Sequence, residues 1–327
     1  MEKFTPYEKL SKKKKRELDA GRRTVWAISP VTRRPDNPKV YNRKKAQKWE
    51  DDSASVFSLF QSLLKRGPQQ GIIVSKDSAG RRREVLMRVH FIQQDEWVEP
   101  GEYLAWAERH GCEVSFTKCW QFEPVPETVD ADFLIVLGGW QSPATTKAEC
   151  GYYDAEAEKR LIRRCVESGK VVVGACLGAQ LLGDAMGASF AHSPEREVGP
   201  VKARLTAAGR ADPLFAAFPD TFLAGAWHND MPGLTEDSVV IAESDGCPRQ
   251  IIRYGELAYG FQAHMEFTPR IVAAGVRESG ESLKRGGKYV QTAEELLAFD
   301  YTEMNAMLSG FLDRLAEKYC RMCAERA

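Results

Sequence analysis

The chain carries no net charge, its 46 lysines and arginines balancing 46 aspartates and glutamates over 327 residues. It also lacks any apolar run approaching the roughly 18 residues of a membrane-spanning helix, and no secretory leader is visible. Eight cysteines, at 112, 119, 150, 165, 176, 247, 320 and 323, show no spacing of a small disulfide framework. No glycine-rich P-loop for nucleoside triphosphate is present. Cys320 and Cys323 form a lone C-x-x-C at helical spacing with no second ligand pair, which reads as two ordinary helical cysteines. These absences leave a cytoplasmic protein in reduced surroundings, with no metal and no cofactor expected. At 43% hydrophobic, the length suffices for one sizeable α/β domain plus extras.

What is there is unevenly spread. Residues 1–50 hold 16 Lys or Arg against 6 Asp or Glu, a surplus of +10, so the remaining 277 residues carry −10. Lys12 to Arg16, Arg22-Arg23, Arg33-Arg34 and Arg43 to Lys45 alternate with Pro30, Pro35 and Pro38. Such a block buries little apolar surface, so a basic, poorly ordered extension is expected over 1–52. Two readings of it stand: nucleic-acid binding by phosphate neutralisation, with Trp26, Tyr41 and Trp49 interleaved, or a solvated or vestigial tail. The block is similar to short basic proteins of unknown role from bacterial mobile elements. Residues 53–86 show no sustained period and read as linker. Met87 begins a strand abruptly, so the expectation is an enzyme proper of 87–327 that starts there, preceded by a fusion or an over-extended reading frame.

The run Val171-Val172-Val173-Gly174-Ala175-Cys176-Leu177-Gly178-Ala179-Gln180 reads as buried strand, glycine-flanked cysteine and helix start. A side chain on such a tight turn projects from the sheet, beside a helix N-terminus that favours its anion. A thiol near its free pKa of about 8.5 is mostly protonated at neutral pH, so Cys176 needs a base. Downstream, Leu257 to Phe267 is a short apolar strand ending in His264-Met265-Glu266. Residues two apart on an extended segment point the same way, which sets His264 beside Glu266. An imidazole held by a carboxylate and facing a cysteine makes a thiolate and later donates a proton to a departing amine.

With these residues the chain resembles the class I, or triad, glutamine amidotransferases. Their G-x-C-x-G-x-Q elbow corresponds to Gly174 through Gln180, and their G-x-Q-x-H-x-E strand to Gly260 through Glu266. Phe133 to Gly139 looks like the family's strand and glycine-rich oxyanion loop, Glu195 to Gly199 like its E-x-G element, and Trp227 to Asp230 like its H-x-D segment. The resemblance runs from about Met87 to at least Pro269. It implies a flavodoxin-like, doubly wound, mostly parallel sheet with a nucleophile elbow, and hydrolysis of the glutamine side-chain amide by Cys176, His264 and Glu266. It places the oxyanion donors at the backbone amides of Gly139 and Leu177 and a substrate contact at Gln180. Glu197 is carried over as ordering a loop near bound glutamine, and His228 as lining the pocket or making a structural hydrogen bond. Ala263 and Met265 stand where the family more often has an aromatic and a proline, and Trp140 to Pro143 lacks the proline after the Gly-Gly pair. The loop is therefore expected to need a partner or substrate to reach its active geometry.

Strands are expected at 87–92, 112–116, 133–137, 171–175, 239–242 and 257–262, interleaved with helices at 100–110, 153–168 and 178–186. The region 189–238 should insert a hairpin and loops beside the site. The tail from Thr292 should add two helices, with Met307, Leu308, Phe311, Leu312 and Leu315 on one face, for core packing or for docking a partner. No synthetase-like domain follows Glu266. Three functions stay open: a glutaminase related to the glutaminase part of GMP synthase, feeding ammonia to a separate synthetase subunit; a γ-glutamyl hydrolase; and an idle binding protein recruited to nucleic acid by the basic block.

Overall fold

In the computed structural model the described residues are 86–326, together with the backbone of Ile73–Lys76 and Arg82–Val85. The basic block 1–52 and its nucleic-acid reading lie outside them. So does most of the stretch 53–86, but its end contains an antiparallel pair, β1 (Ile73–Lys76) with β2 (Arg82–Val85). Four-residue strands are too short to announce themselves as a period in the sequence.

Five strands form a parallel half-sheet: β3 (Arg88–Gln93), β4 (Glu113–Lys118), β5 (Phe133–Val136), β6 (Val171–Ala175) and β11 (Ala258–Phe261), in the order β4-β3-β5-β6-β11. The central strands β5, β6 and β11 are near-continuous apolar runs because both faces are covered, whereas β4 lies at the edge and is half exposed. Phe133, Ile135, Val171, Val173 and Phe261 enter one core layer, while Leu134, Val136, Val172 and Ala258 enter the other. The layers follow the period of two that a strand imposes. The sheet continues antiparallel through β10 (Ile251–Gly255) and β9 (Val239–Ser244) to the long strand β7 (Ala191–Leu205), which pairs with β8 (Thr221–Met231) and, parallel, with the short β12 (Tyr289–Val290).

Helix α1 (Glu102–Arg109) and helix α2 (Ala155–Glu167) sit on opposite layers. Asp154 starts α2 by accepting the Ala157 N–H at 3.0 Å, and Gly169, at φ +68°, ends its turn. Leu161, Ile162 and Cys165 give α2 its buried stripe. Helix α3 (Leu177–Ala185) is apolar nearly all round and buried at every position but Asp184, as its even hydrophobicity requires. A short α4 (Ala207–Ala211) joins β7 to β8, and α5 (Pro269–Leu283) follows the His-x-Glu segment. Thr292 and Glu295 form a capping box on α6 (Ala293–Ala298). In α7 (Thr302–Arg326) the stripe Met307, Leu308, Phe311, Leu312 and Leu315 is buried in the larger core layer, which decides for core packing. Cys320 is buried, Cys323 exposed, and all eight cysteines are free. No helix among the described residues is long and apolar enough to cross a membrane.

Candidate active site

The carboxyl ends of β3, β5, β6 and β11 converge on one cavity of about 230 Å³, whose wall includes Gly139, Cys176, Gln180, His228, His264 and Glu266. This is where open α/β sheets place their ligands. Its volume falls below the roughly 300–1,000 Å³ of drug-sized pockets and suits a small metabolite.

Cys176 stands between β6 and α3 at φ +51° and ψ −109°, a left-handed conformation rare outside glycine. Strain of this kind persists only where the surroundings over-determine it. Here the Cys176 N–H donates to the Phe261 carbonyl at 2.7 Å, and its carbonyl accepts from Ala179 and Gln180 at 3.0 and 3.2 Å. The side chain is thereby turned out of the sheet into the cavity.

His264 follows β11, and its N–H donates to the Gly225 carbonyl of β8 at 2.8 Å. Its Nδ1 lies 2.7 Å from Glu266 Oε1, which leaves the other ring edge for the cysteine. Burial works against charging this imidazole, but the Glu266 carboxylate and the Cys176 sulfur outweigh it and push its pKa up to about 10. Phe267 stacks on the ring face, centroids 4.3 Å apart and planes within 10°. Asn305 of α7 donates to the carbonyls of Met265 and Phe267 at 2.8 and 3.0 Å, so the C-terminal helix fixes the His-x-Glu backbone. That substitutes for rigidity a proline at 265 would have supplied.

Gly138 and Gly139 lie against this pair. A Cβ on Gly138 would stand 3.3 Å from both Cys176 Cβ and His264 Cε1, and one on Gly139 would meet Gln141 Oε1 at 2.2 Å and Leu177 Cδ2 at 3.1 Å. A larger residue at either position would have to displace Gln141 or crowd Cys176 and His264. Leu177 supplies the first N–H of α3, which has no intrahelical acceptor. Trp140 and Gln141 donate to the Tyr152 hydroxyl at 3.4 and 3.2 Å, and Tyr152 donates to Asp95 at 2.5 Å. These bonds anchor a loop whose sequence lacks the usual proline.

Behind the loop, Gln94 donates to Glu158 at 2.6 Å, and burial of the Glu158 carboxyl pushes its pKa up to about 8. The folded protein therefore holds a proton between pH about 4.5 and 8 that the unfolded chain releases, so this contribution to stability falls as pH rises through that window. Glu158→Gln keeps a neutral side chain throughout. It should unfold at higher temperature than the wild type at pH 8.5, by roughly a few kcal/mol of stability, with the gap shrinking at pH 5. Equal differences at the two pH values in thermal unfolding would contradict the assignment.

Glu197 does not line the cavity. It is fully buried, accepts from Ser244 Oγ at 2.6 Å and Gln250 Nε2 at 2.5 Å, and lies 3.3 Å from His228 Nε2. It stands beside His228, which does line the cavity and whose two ring nitrogens make no hydrogen bond. Cys247 completes a trio of donor side chains within 4.8 Å of one another, the one such group among the described residues. Both Glu197 oxygens already serve as acceptors for Ser244 and Gln250, so the carboxylate is accounted for as part of a buried polar cluster. His192 is exposed and pairs with Asp230.

Sequence reasoning takes Gln262 and Gly138 only as members of their motifs and assigns no role to Phe267 or Asn305.

A covered parallel sheet with reactive groups gathered at its carboxyl edge is the architecture of an enzyme, here of the glutaminase type. The sequence model of the family glutamine amidotransferase class-I matches residues 105–274. The glutamine amidotransferase-like protein YfeJ of Salmonella typhimurium is 45% identical over 232 residues, 70% of this chain and 97% of its own length. The crystal structure of SMU.1228c shares 49% identity at a TM-score of 0.69, covering 71% of this chain and 100% of that one. A Thermotoga maritima glutamine amidotransferase, 20% identical at a TM-score of 0.63 over 72% of this chain and 100% of that one, shares the fold. The chain belongs to the class I glutamine amidotransferase family.

Proposed function

We propose that residues 87–327 hydrolyse the side-chain amide of glutamine through Cys176, His264 and Glu266. The observation that carries this is the positive-φ cysteine in one small cavity with an imidazole whose Nδ1 is 2.7 Å from a buried carboxylate. The Cys176 thiolate attacks the amide carbon, and the oxygen of the tetrahedral adduct takes its charge between the N–H groups of Gly139 and Leu177. Such donors cost no reorganisation during reaction, and removing one typically raises the barrier by about 3 kcal/mol. The imidazolium of His264 protonates the leaving nitrogen, the C–N bond breaks, and ammonia departs, leaving a thioester. Water, deprotonated by the now neutral His264, adds to the thioester carbon; collapse expels the sulfur as thiolate and frees glutamate. Glu266 keeps the ring in the required tautomer throughout. The ammonia is available to an acceptor reaction, which in this reading a synthetase partner carries out. GMP synthase of Latilactobacillus sakei, 33% identical over 102 residues that make up 31% of this chain and 19% of that one, pairs such a glutaminase with an acceptor reaction in its name.

A second reading is favoured by the cavity mouth, where Trp97, Trp140 and Trp227 provide more apolar wall than ammonia needs. It makes the leaving group a larger amine of a γ-glutamyl compound. Labelling by a glutamine-mimicking diazoketone, read by peptide mass spectrometry beside ammonia release, tests both. Modification confined to Cys176 with ammonia from glutamine supports the glutaminase; faster turnover of γ-glutamyl amides supports the second reading. No modification of Cys176 sinks both and leaves an idle binding protein.

A further inference from the structure

We propose that Glu197, His228 and Cys247 form a binding site for a divalent transition metal of the zinc type, buried against the wall of the catalytic cavity. The proposal is independent of the glutaminase reading, because it uses none of Cys176, His264 and Glu266.

The three side chains come from separate elements that the fold locks together. Glu197 of β7 and His228 of β8 are direct partners in the antiparallel register. Cys247 lies in the turn between β9 and β10, where the Ser244 N–H donates to the Cys247 carbonyl at 2.8 Å and the Cys247 N–H to Ser244 Oγ at 3.0 Å. Gly246 lets that turn rest on the carboxylate, since a Cβ there would stand 2.5 Å from Glu197 Oε1. The Glu195 N–H donates to the Gly246 carbonyl at 3.2 Å and ties β7 to the same turn. A site whose ligands meet only across these strands has no motif spacing to read.

The donor set itself points to a metal. Thiolate, imidazole and carboxylate are the side-chain ligands that zinc takes, and here one of each lies within 4.8 Å of the other two. The side chains of His228 and Glu197 are 1% and 0% exposed, and Cys247 is fully buried. The imidazole is the member that protein contacts do not explain. Both of its ring nitrogens are buried without a hydrogen-bond partner, although Nε2 is 3.3 Å from Glu197 Oε2. A tetrahedral ion with bonds of about 2.0–2.1 Å holds its nitrogen and oxygen ligands about 3.3 Å apart, each lone pair directed at the ion and not at the other ligand. The separation and the missing hydrogen bond both fit an ion held between the two groups. The bonds that Glu197 accepts from Ser244 and Gln250 suit the same role. Each carboxylate oxygen keeps a second lone pair, and metal-bound carboxylates are oriented by such donors.

Three protein ligands leave the fourth position of the ion to water. His228 belongs to the wall of the catalytic cavity, which gives the ion its way in. On binding, Cys247 gives up its thiol proton to water and the sulfur takes the metal in its place.

The test adds Co²⁺, and then Zn²⁺ in competition, to the full chain after treatment with a chelator. Cobalt bound by a thiolate shows an intense ligand-to-metal charge-transfer absorption. One equivalent is expected to produce this band in the wild type and in Cys176→Ser, and Zn²⁺ should abolish it. The band should be absent in Cys247→Ser and need far more cobalt in His228→Gln. Gln250→Met, which removes a donor that orients the carboxylate but no ligand, should weaken Zn²⁺ binding by about 10–100-fold. Zn²⁺ should also raise the unfolding temperature of the wild type and not that of Cys247→Ser. A wild type without the cobalt band overturns the proposal. So does a band that survives in Cys247→Ser, which would place the ion on another thiol, such as Cys176 or the Cys320 and Cys323 pair. Should Cys247→Ser fail to fold, His228→Gln decides, and a cobalt affinity in it equal to wild type overturns the proposal.

Discussion

Replacing Cys176 with serine is expected to lower glutamine hydrolysis by about four orders of magnitude or more, with the fold intact. The two side chains differ by one atom, and the left-handed backbone at 176 is held by bonds from Phe261, Ala179 and Gln180 that the substitution does not touch. What changes is the ease of making an anion: a hydroxyl gives up its proton far less readily than a thiol, and this imidazole evolved opposite sulfur. His264 should report the loss directly. Its pKa of about 10 depends on Cys176 as well as Glu266, so the variant should show it displaced downward, visible in an NMR titration of the ring. In the proposed mechanism the imidazolium donates the proton to the leaving nitrogen, so activity should fall as pH rises through that value. Ammonia release by Cys176→Ser above about one per cent of wild type, in a preparation free of other glutaminases, would remove the sulfur from the mechanism. An unmoved His264 titration would break the electrostatic link between the two residues.

The parts of this protein most readable from sequence are those where a local pattern and a global need coincide. The runs Phe133–Val136 and Val171–Ala175 had to be buried parallel strands, since nothing else accommodates so many adjacent apolar residues bounded by glycine. The pairing of His264 with Glu266 is expected from a two-residue step on a strand; the strand ends at Phe261, and a turn at residues 265–266 brings the two side chains together instead. The long β7–β8 hairpin is legible only as a hairpin and loops, because its strands alternate irregularly and carry a register shift between His192 and Glu197. Helix α5 is not expected from the sequence, since Gly275 and Gly280 interrupt Pro269 to Leu283. At the site, contacts made across long sequence separation are invisible in the sequence: Asn305 reaching Met265, Phe267 stacking on His264, and Glu158 supporting the loop through Gln94. Glu197 reads from sequence as a loop-ordering group near substrate, and its actual place one residue removed, beneath His228, depends on the fold of β7 against β8.

The elbow also sets a stability limit that two glycines make testable. A Cβ on Gly178 would stand 2.0 Å from the Val136 carbonyl oxygen and 2.7 Å from its carbon, while one on Gly174 would stand 2.3 Å from the Gly178 oxygen. All of these are backbone atoms, so no side chain can swing aside to relieve the overlap. Gly178→Ala must therefore push the first turn of α3 away from β5, carrying Leu177 and Cys176 with it. The expected cost is about 3 kcal/mol or more of stability, and a displacement near 1 Å at the nucleophile typically costs about 100-fold in rate. Gly280 offers the opposite case. It lies within α5, and a Cβ added there would have no neighbour within 4 Å, so Gly280→Ala should gain about 0.5–1 kcal/mol from helix propensity alone. Thermal unfolding of the two variants against wild type separates the ideas: identical small shifts would mean that glycine content, and not the contact between α3 and β5, governs stability here. Opposite signs, with ammonia release lost only in Gly178→Ala, tie the close packing at 178 to the position of the reacting sulfur.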